Sequence, residues 1–460
     1  MFNQLLNKIL KAHPLLGLER ENQNLGHLTG LKAPSWIRQG PIYEVFVRSF
    51  SPEGTFKGVR DKIPYLKELG IRTIWLMPIY PIGQKDRKGS LGSPYAIKDY
   101  TAIDPQYGTK DELKKLITSA HRAGLRVILD LVANHMAKDN IWRDVYPDYF
   151  IKNDDGEFTR KISDWSDIID LDYANKKVWT RMQNIIQSWV QDFEFDGFRC
   201  DVAGLVPEEF WINVYGELLK IKDDIFMLAE WESANLHLEA FHATYDWSTY
   251  FVLQDIYEGK ISATESVAWV VEKEANYPGN ALPMRFTENH DLERTRETFG
   301  EESFYPFVVF NFLVYGIPLI YCGQEFGLRK KPFLFGKDPI DWDLFDATIF
   351  DFYKNLIRLR HYYPAFSSRI LKNIWNDKAN QIVSFEKSYK DQKILAILNF
   401  SRKRLTVKLD LSDLYHNNQW FEDLFSGETF KKSGIEKLNI EPYGYFIIRP
   451  EEEWTKDETG

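Results

Sequence analysis

Two cysteines in 460 residues, Cys200 and Cys322, exclude a disulfide framework. Each sits in an apolar, strand-like run, where a small buried thiol is the ordinary state of the residue. No apolar run approaches the ~20 residues needed to span a bilayer, so no membrane association is expected. Lys and Arg nowhere accumulate in a block, and the formal net charge is -9, so nothing favours a polyanionic partner such as nucleic acid. The opening stretch MFNQLLNKILKAHPLL lacks the continuous apolar run and small-residue cleavage site of a secretory signal. It reads as a short surface helix, and the expected location is the cytoplasm, although a chain already trimmed of a signal would look the same. Low-complexity linkers and short-period repeats are also missing.

What remains is an ordinary globular composition, 44% hydrophobic and 27% charged. The length suits one domain of about 250 residues or more with a smaller one beside it. Aromatics reach 15%, including 14 Trp, and most of them are expected in the core, where large rings supply buried area.

From about residue 40 to 365, short β-branched or apolar runs alternate with segments of helical period. Strands are predicted over 42–50, 72–78, 126–132, 195–201, 225–230, 243–247, 284–290 and 317–323, with helices over 109–123, 175–191, 207–221, 264–275, 302–315 and 347–362. Eight such units predict an α/β fold, a closed (β/α)8 TIM barrel. After the third strand, residues 136–172 show no helical period and are longer than an ordinary connection, so a small inserted B subdomain is expected. Beyond the last helix the pattern becomes QIVSFEKS, KILAILNF, RLTVKLD and GYFIIRP, alternating strands of an antiparallel β-sandwich. The expected division is therefore an N-terminal extension (1–38), the barrel in two parts (39–135 and 173–365) around the insertion (136–172), a C-terminal β-domain (366–450) and an acidic tail (451–460).

Active sites of such barrels lie at the C-terminal ends of the strands, so polar residues that end an apolar run matter most. Here the runs end in DLVANH (130–135), GFRCD (197–201), AE (229–230) and ENHD (288–291). Singly, each residue has a bland reading as a helix cap, a surface acid or a packed histidine. Together they are harder to dismiss, because burying several charged groups around one cavity costs several kcal/mol. Glycoside cleavage requires such a set: one carboxylate to attack or to activate water, and a second, protonated, to donate to the leaving oxygen. Arg199 lies two residues before Asp201, on the same face of a strand, and can keep that acid ionised, which suits a nucleophile. Glu230, less obviously paired with a cation, suits the raised pKa of a general acid.

DLVANH, GFRCDVAG, the strand ending LAE, and FTENHD follow the order and spacing of the four signature segments of glycoside hydrolase family 13, the α-amylase family, which this chain resembles over nearly its whole length. IIDLDYAN (168–175) and GIPLIYCGQEFG (316–327) are similar to two accessory segments of that family. The resemblance implies a retaining hydrolase of α-1,4-glucosidic bonds in starch-type α-glucans and maltooligosaccharides, acting through a covalent glycosyl intermediate. It implies Asp201 as nucleophile, Glu230 as acid/base and Asp291 as the carboxylate that favours the transition state. Arg199 corresponds to the arginine partner of the nucleophile, and His135 and His290 to donors toward sugar hydroxyls. Tyr95, in SPYAIKDY with Asp99 four residues on, corresponds to a sugar-stacking platform.

Asn134 and Asp170 match side-chain ligands of the family's structural calcium, although so short an insertion argues against bound calcium, and Asn134 has the alternative role of positioning His135. The chemistry itself needs no cofactor. After Asp201 the sequence reads VAGL, without the Lys and His that many endo-acting members carry, which weakens the case for extended product-side subsites. The alternatives are an α-glucosidase or neopullulanase-like enzyme acting also on α-1,6 bonds, a transglycosylase or isomerase on the same machinery, and, from another class, a non-catalytic glucan-binding protein. Oligomeric state is not legible in the sequence.

Overall fold

Runs rich in β-branched and aromatic residues form the staves of one closed, all-parallel barrel in the computed structural model, which describes residues 24–451. The strands are β1 (Ile42–Val45), β2 (Thr73–Leu76), β3 (Arg126–Val132), β6 (Gly197–Asp201), β7 (Phe226–Ala229), β8 (Ala243–Tyr245), β9 (Leu282–Arg285) and β10 (Ile317–Tyr321). They pair in chain order, and β10 returns to pair with β1. Nearly every residue in them is buried, as expected when helices cover the outside and side chains fill the inside. The surface helix expected at the start of the chain and most of the acidic tail lie outside the described residues. Among the described residues no helix is long and apolar enough to cross a membrane.

Six of the eight strands end earlier than the hydrophobic pattern predicts, β1 and β9 by the most. β1 stops at Val45, and Val47–Phe50 turns into a short helix; β8 stops at Tyr245, where Asp246 caps the helix Trp247–Tyr257 by accepting from the Thr249 N–H; β9 stops at Arg285. Val47, Phe50 and Trp247 stay buried after leaving the sheet, so apolar character persists past the strand ends. The helix expected over 302–315 starts only at Tyr305, with Pro306 in its first turn. The helix Ala347–Tyr362 has the expected bounds.

The segment after β3 contributes two strands of its own, β4 (His135–Ala137) and β5 (Ile168–Asp170), paired antiparallel with His135 opposite Asp170. The insertion is thereby pinned beside the barrel mouth. At the C-terminal end come β11 (Leu371–Asn373), β12 (Ile382–Tyr389), β13 (Gln392–Asn399), β14 (Leu405–Lys408), β15 (Trp420–Asp423), β16 (Thr429–Lys431), β17 (Lys437–Ile440) and β18 (Tyr445–Pro450). They form a sheet in the order β11-β12-β13-β18-β15-β16, with β14 and β17 as a separate pair. The alternation of side chains sends Val383, Phe385, Ala396 and Leu398 into the barrel's core, while Ile382, Leu395 and Ile397 build a second core with Val407, Leu438 and Ile440. The antiparallel β-structure predicted behind the barrel is present.

Candidate active site

Register sets the centre of the site. Arg199 and Asp201 lie two apart on β6, and Arg199 stands opposite Asp130 of β3. All three side chains therefore meet inside the barrel near its C-terminal rim. Arg199 is fully buried; its Nη1 donates to Asp130 Oδ1 at 3.0 Å and to Asp201 Oδ1 at 3.1 Å, and its Nε donates to the Tyr245 hydroxyl at 3.1 Å. Its Nη2 lies 2.7 Å from Glu230 Oε1, at the end of β7.

The expectation that Glu230 stands apart from a cation is corrected by this contact: one guanidinium serves three acids. A difference between the two site acids survives in direction. Nη2 lies close to Glu230 but off the hydrogen-bonding axis, whereas Asp201 accepts an aligned bond. Burial pushes Glu230 up to about 7, with Arg199 opposing and Asp201 and Asp291 adding to the rise. Burial also raises Asp201, to about 6, against the pull of Arg199. The more basic of the two is Glu230.

The residue after Asp201 is held in an unusual conformation. Val202 has φ 37° and ψ 48°, in the left-handed region that β-branched residues avoid. The turn aims its N–H at Glu230 Oε2, 2.9 Å away. Backbone strain of this kind, on the order of 1–3 kcal/mol, persists where neighbouring structure enforces it.

On the opposite rim, His290 is clamped between two acids. Its Nδ1 donates to Glu44 Oε1 at 2.5 Å, and its Nε2 lies 2.8 Å from the Tyr95 hydroxyl and 3.2 Å from Asp291 Oδ2. Burial disfavours the charge, but Asp291 and Glu44 outweigh it and push His290 up to about 9. Tyr95 stacks on that imidazole and donates onward to Asp130 Oδ2 at 3.2 Å. His135 is the electrostatic opposite: burial pushes it down to about 4, so it is neutral at pH 7. Asp291 itself is 46% exposed at the cavity edge.

Asp201, Glu230, Asp291, His135, His290 and Tyr95 all line one cavity, with Arg199 beneath it. Asp99 is not brought there. Its Oδ1 accepts from the Thr101 N–H at 2.8 Å and the Thr101 hydroxyl at 2.7 Å, which makes it a turn residue.

Asn134 and Asp170 do meet, but as partners of each other. The Asn134 Nδ2 lies 3.3 Å from Asp170 Oδ1 and 3.2 Å from His135 Nδ1, while Asp170 Oδ2 accepts from the Lys161 N–H at 2.8 Å. Both oxygens of Asp170 thus face N–H donors, a donor set that does not fit calcium, which takes six to eight oxygens. Among the described residues no group of three or more His, Cys, Asp or Glu is arranged around a metal position. The arrangement suits the alternative reading, Asn134 beside His135.

Sequence reasoning did not single out Asp130, Glu44, Tyr245 or Trp75, whose Nε1 donates to Asp130 at 3.1 Å. A signal existed for the two acids. Glu44 interrupts the apolar run IYEV, and Asp130 interrupts RVILDLV; a charge in mid-strand of a barrel needs a partner.

The family model described as "Alpha amylase, catalytic domain" matches residues 24–338, and that of the "Maltogenic Amylase, C-terminal domain" matches 373–447. Alpha-amylase 2 of Dictyoglomus thermophilum is 27% identical over 447 residues, covering 88% of this chain and 76% of that protein. Neopullulanase 2 of Thermoactinomyces vulgaris is 27% identical, covering 90% and 78%. Among solved structures, the noncanonic maltogenic α-amylase of Thermotoga neapolitana superposes with a TM-score of 0.84 at 33% identity, covering 90% of this chain and 99% of that one. With the first family model spanning well over half of its length, the chain belongs to the α-amylase family of glycoside hydrolases.

Proposed function

We propose that the protein is a retaining hydrolase of α-1,4-glucosidic bonds in maltooligosaccharides, with Asp201 as nucleophile, Glu230 as acid/base and Asp291 as the stabilising carboxylate. The observation that carries this is the sharing of Arg199 by Asp201 and Glu230 at adjacent strand ends. Two carboxyls held so near each other leave no space for a water molecule between the second carboxylate and the anomeric carbon, which favours direct attack over inversion. Asp201 forms a bond to the anomeric carbon as the glycosidic C–O bond breaks, and the Glu230 proton goes to the departing oxygen. Glu230, now ionised, takes a proton from water, whose oxygen displaces Asp201 from the anomeric carbon. The charge developing on the sugar is met by Asp291, while neutral His135 and charged His290 offer donors to its hydroxyls and Tyr95 offers a ring face.

The names of the relatives support α-glucans as the substrate class, and the neopullulanase among them supports action on α-1,6 bonds as well. The test is incubation with linear maltooligosaccharides and pullulan, following the anomeric form of the products by proton NMR. α-Anomers from the unaltered protein, none from Asp201→Asn, and a fall in kcat/KM of about 10²–10⁴-fold in Glu230→Gln are expected. Products of β configuration would remove the retaining mechanism. Products longer than the substrate would make the enzyme a transferase, and no turnover on any glucan would sink the reading.

A further inference from the structure

Beside His135 the cavity is walled by residues from three distant segments, among them Lys88, Asp167 and Phe335. Two of these are tied together. The Leu91 N–H donates to the Phe335 carbonyl at 2.9 Å, and buried Arg48 donates through Nη1 to the carbonyls of Gly92 and Leu334 at 3.3 and 3.2 Å. The wall carries one charged pair. Asp167 is 3% exposed, yet its Oδ2 is buried without accepting a hydrogen bond, and Lys88 Nζ stays 3.7 Å from Oδ1. A buried carboxylate oxygen with no donor is costly, and Asp167 lines the cavity where substrate is proposed to lie. Lys88 is held nearby with its ammonium 5.9 Å from the Phe335 ring centre.

We propose that Lys88 and Asp167 grip the terminal glucose unit at the non-reducing end of an α-glucan, so that cleavage is measured from a free chain end. The inference rests on the hydrolase reading, which puts the donor sugar beside Tyr95 and His135 and thus the wall on the non-reducing side. A terminal unit carries a free 4-hydroxyl next to its 6-hydroxyl; one can donate to the Asp167 carboxylate while the other accepts from Lys88 Nζ. An internal unit has its 4-oxygen substituted by the next sugar, which the tied segments at 91 and 335 stand to exclude. The pair therefore selects chain ends and fixes product length.

The experiment compares maltoheptaose with maltoheptaose carrying a 4,6-O-ethylidene block on its non-reducing end. The unaltered protein is expected to cleave the free-ended chain at least about tenfold more efficiently in kcat/KM, the scale of a hydrogen bond to a charged group. Lys88→Ala and Asp167→Asn are each expected to bring that ratio toward one and to broaden the lengths of the products. Equal cleavage of both substrates by the unaltered protein overturns the inference alone and needs no variant. A ratio unchanged in both variants also overturns it. No cleavage of either substrate overturns the hydrolase reading and this inference with it.

Discussion

A nucleophile and a general acid must hold opposite protonation states at one pH, and in this site both acids are raised by burial around a single guanidinium. In the proposed assignment Asp201 must be ionised, which requires a pH above about 6, and Glu230 must be protonated, which requires a pH below about 7. The pH profile of kcat/KM is therefore expected to be a narrow bell centred between those values. A plateau extending above pH 9 would break the assignment of Glu230. His290 offers a second check. Glu44→Gln removes one of the two acids that hold its charge, so its titration, followed by NMR, should move down from about 9. Because the folded value lies above the unfolded one, the stability that this pair contributes is fully present below the unfolded histidine value of about 6.5 and lost as pH rises through about 9. The destabilisation in Glu44→Gln should accordingly shrink above pH 9; a constant deficit at all pH values would point to packing instead. Asp201, Glu230 and Asp291 could be singled out in sequence because each closes a polar motif that follows an apolar run. The partners that set their electrostatics were not, since the closeness of Arg199 to Glu230 depends on barrel closure and side-chain reach, which no spacing encodes.

Elements hold these residues from below as well as from the rim. Asp196, just before β6, is fully buried at the opposite end of the strand from Asp201 and accepts from His121, Arg126, Lys222 and the Val127 N–H at 2.6–2.8 Å. Burial alone would raise its pKa, but the hydrogen bond from His121 and the charge of Lys222 win and hold it at about 2. A depressed carboxylate stabilises the fold above its unfolded value and ceases to do so as pH falls through the folded one. Asp196→Asn should thus cost about 2 kcal/mol at pH 7 in urea unfolding, a deficit that fades between pH ~4 and pH ~2. A deficit independent of pH would refute the charge argument. For the β4–β5 pair the expectation concerns a metal. With both Asp170 oxygens facing N–H donors, EDTA should leave Tm and rate unchanged, and a fall in Tm restored by calcium would overturn that. Helices with strong caps, such as Lys110–Arg122 with its Thr109–Glu112 capping box, could be located closely from sequence. The ends of β1, β8 and β9 could not, because Val47, Phe50 and Phe286 are as buried as the strands they follow.

At the scale of the whole molecule, the alternation of strands and helices was enough to foresee a barrel and the later alternation of strands a β-sandwich, but not how the two are joined. The join is apolar and continuous. In the helix Tyr305–Leu313 every residue from Pro306 onward is buried, because the barrel covers one side and the C-terminal sheet the other. Phe307 packs edge-on to Phe400 with centroids 4.7 Å apart, and Phe310 meets Phe385 at 6.2 Å. A helix apolar on all sides cannot be left half-covered without exposing a large hydrophobic face, so neither part should persist once the other unfolds. We therefore expect the slowest amides of β12 and β13 and those of barrel strands β3 and β6 to exchange with the same opening free energy. Phe310→Ala, removing a fully buried ring, should lower that shared value by about 3–5 kcal/mol in both regions. If protection falls in β12 and β13 while β3 and β6 keep theirs, the C-terminal sheet is an independent unit, and the shared core is a contact surface rather than the cause of cooperativity.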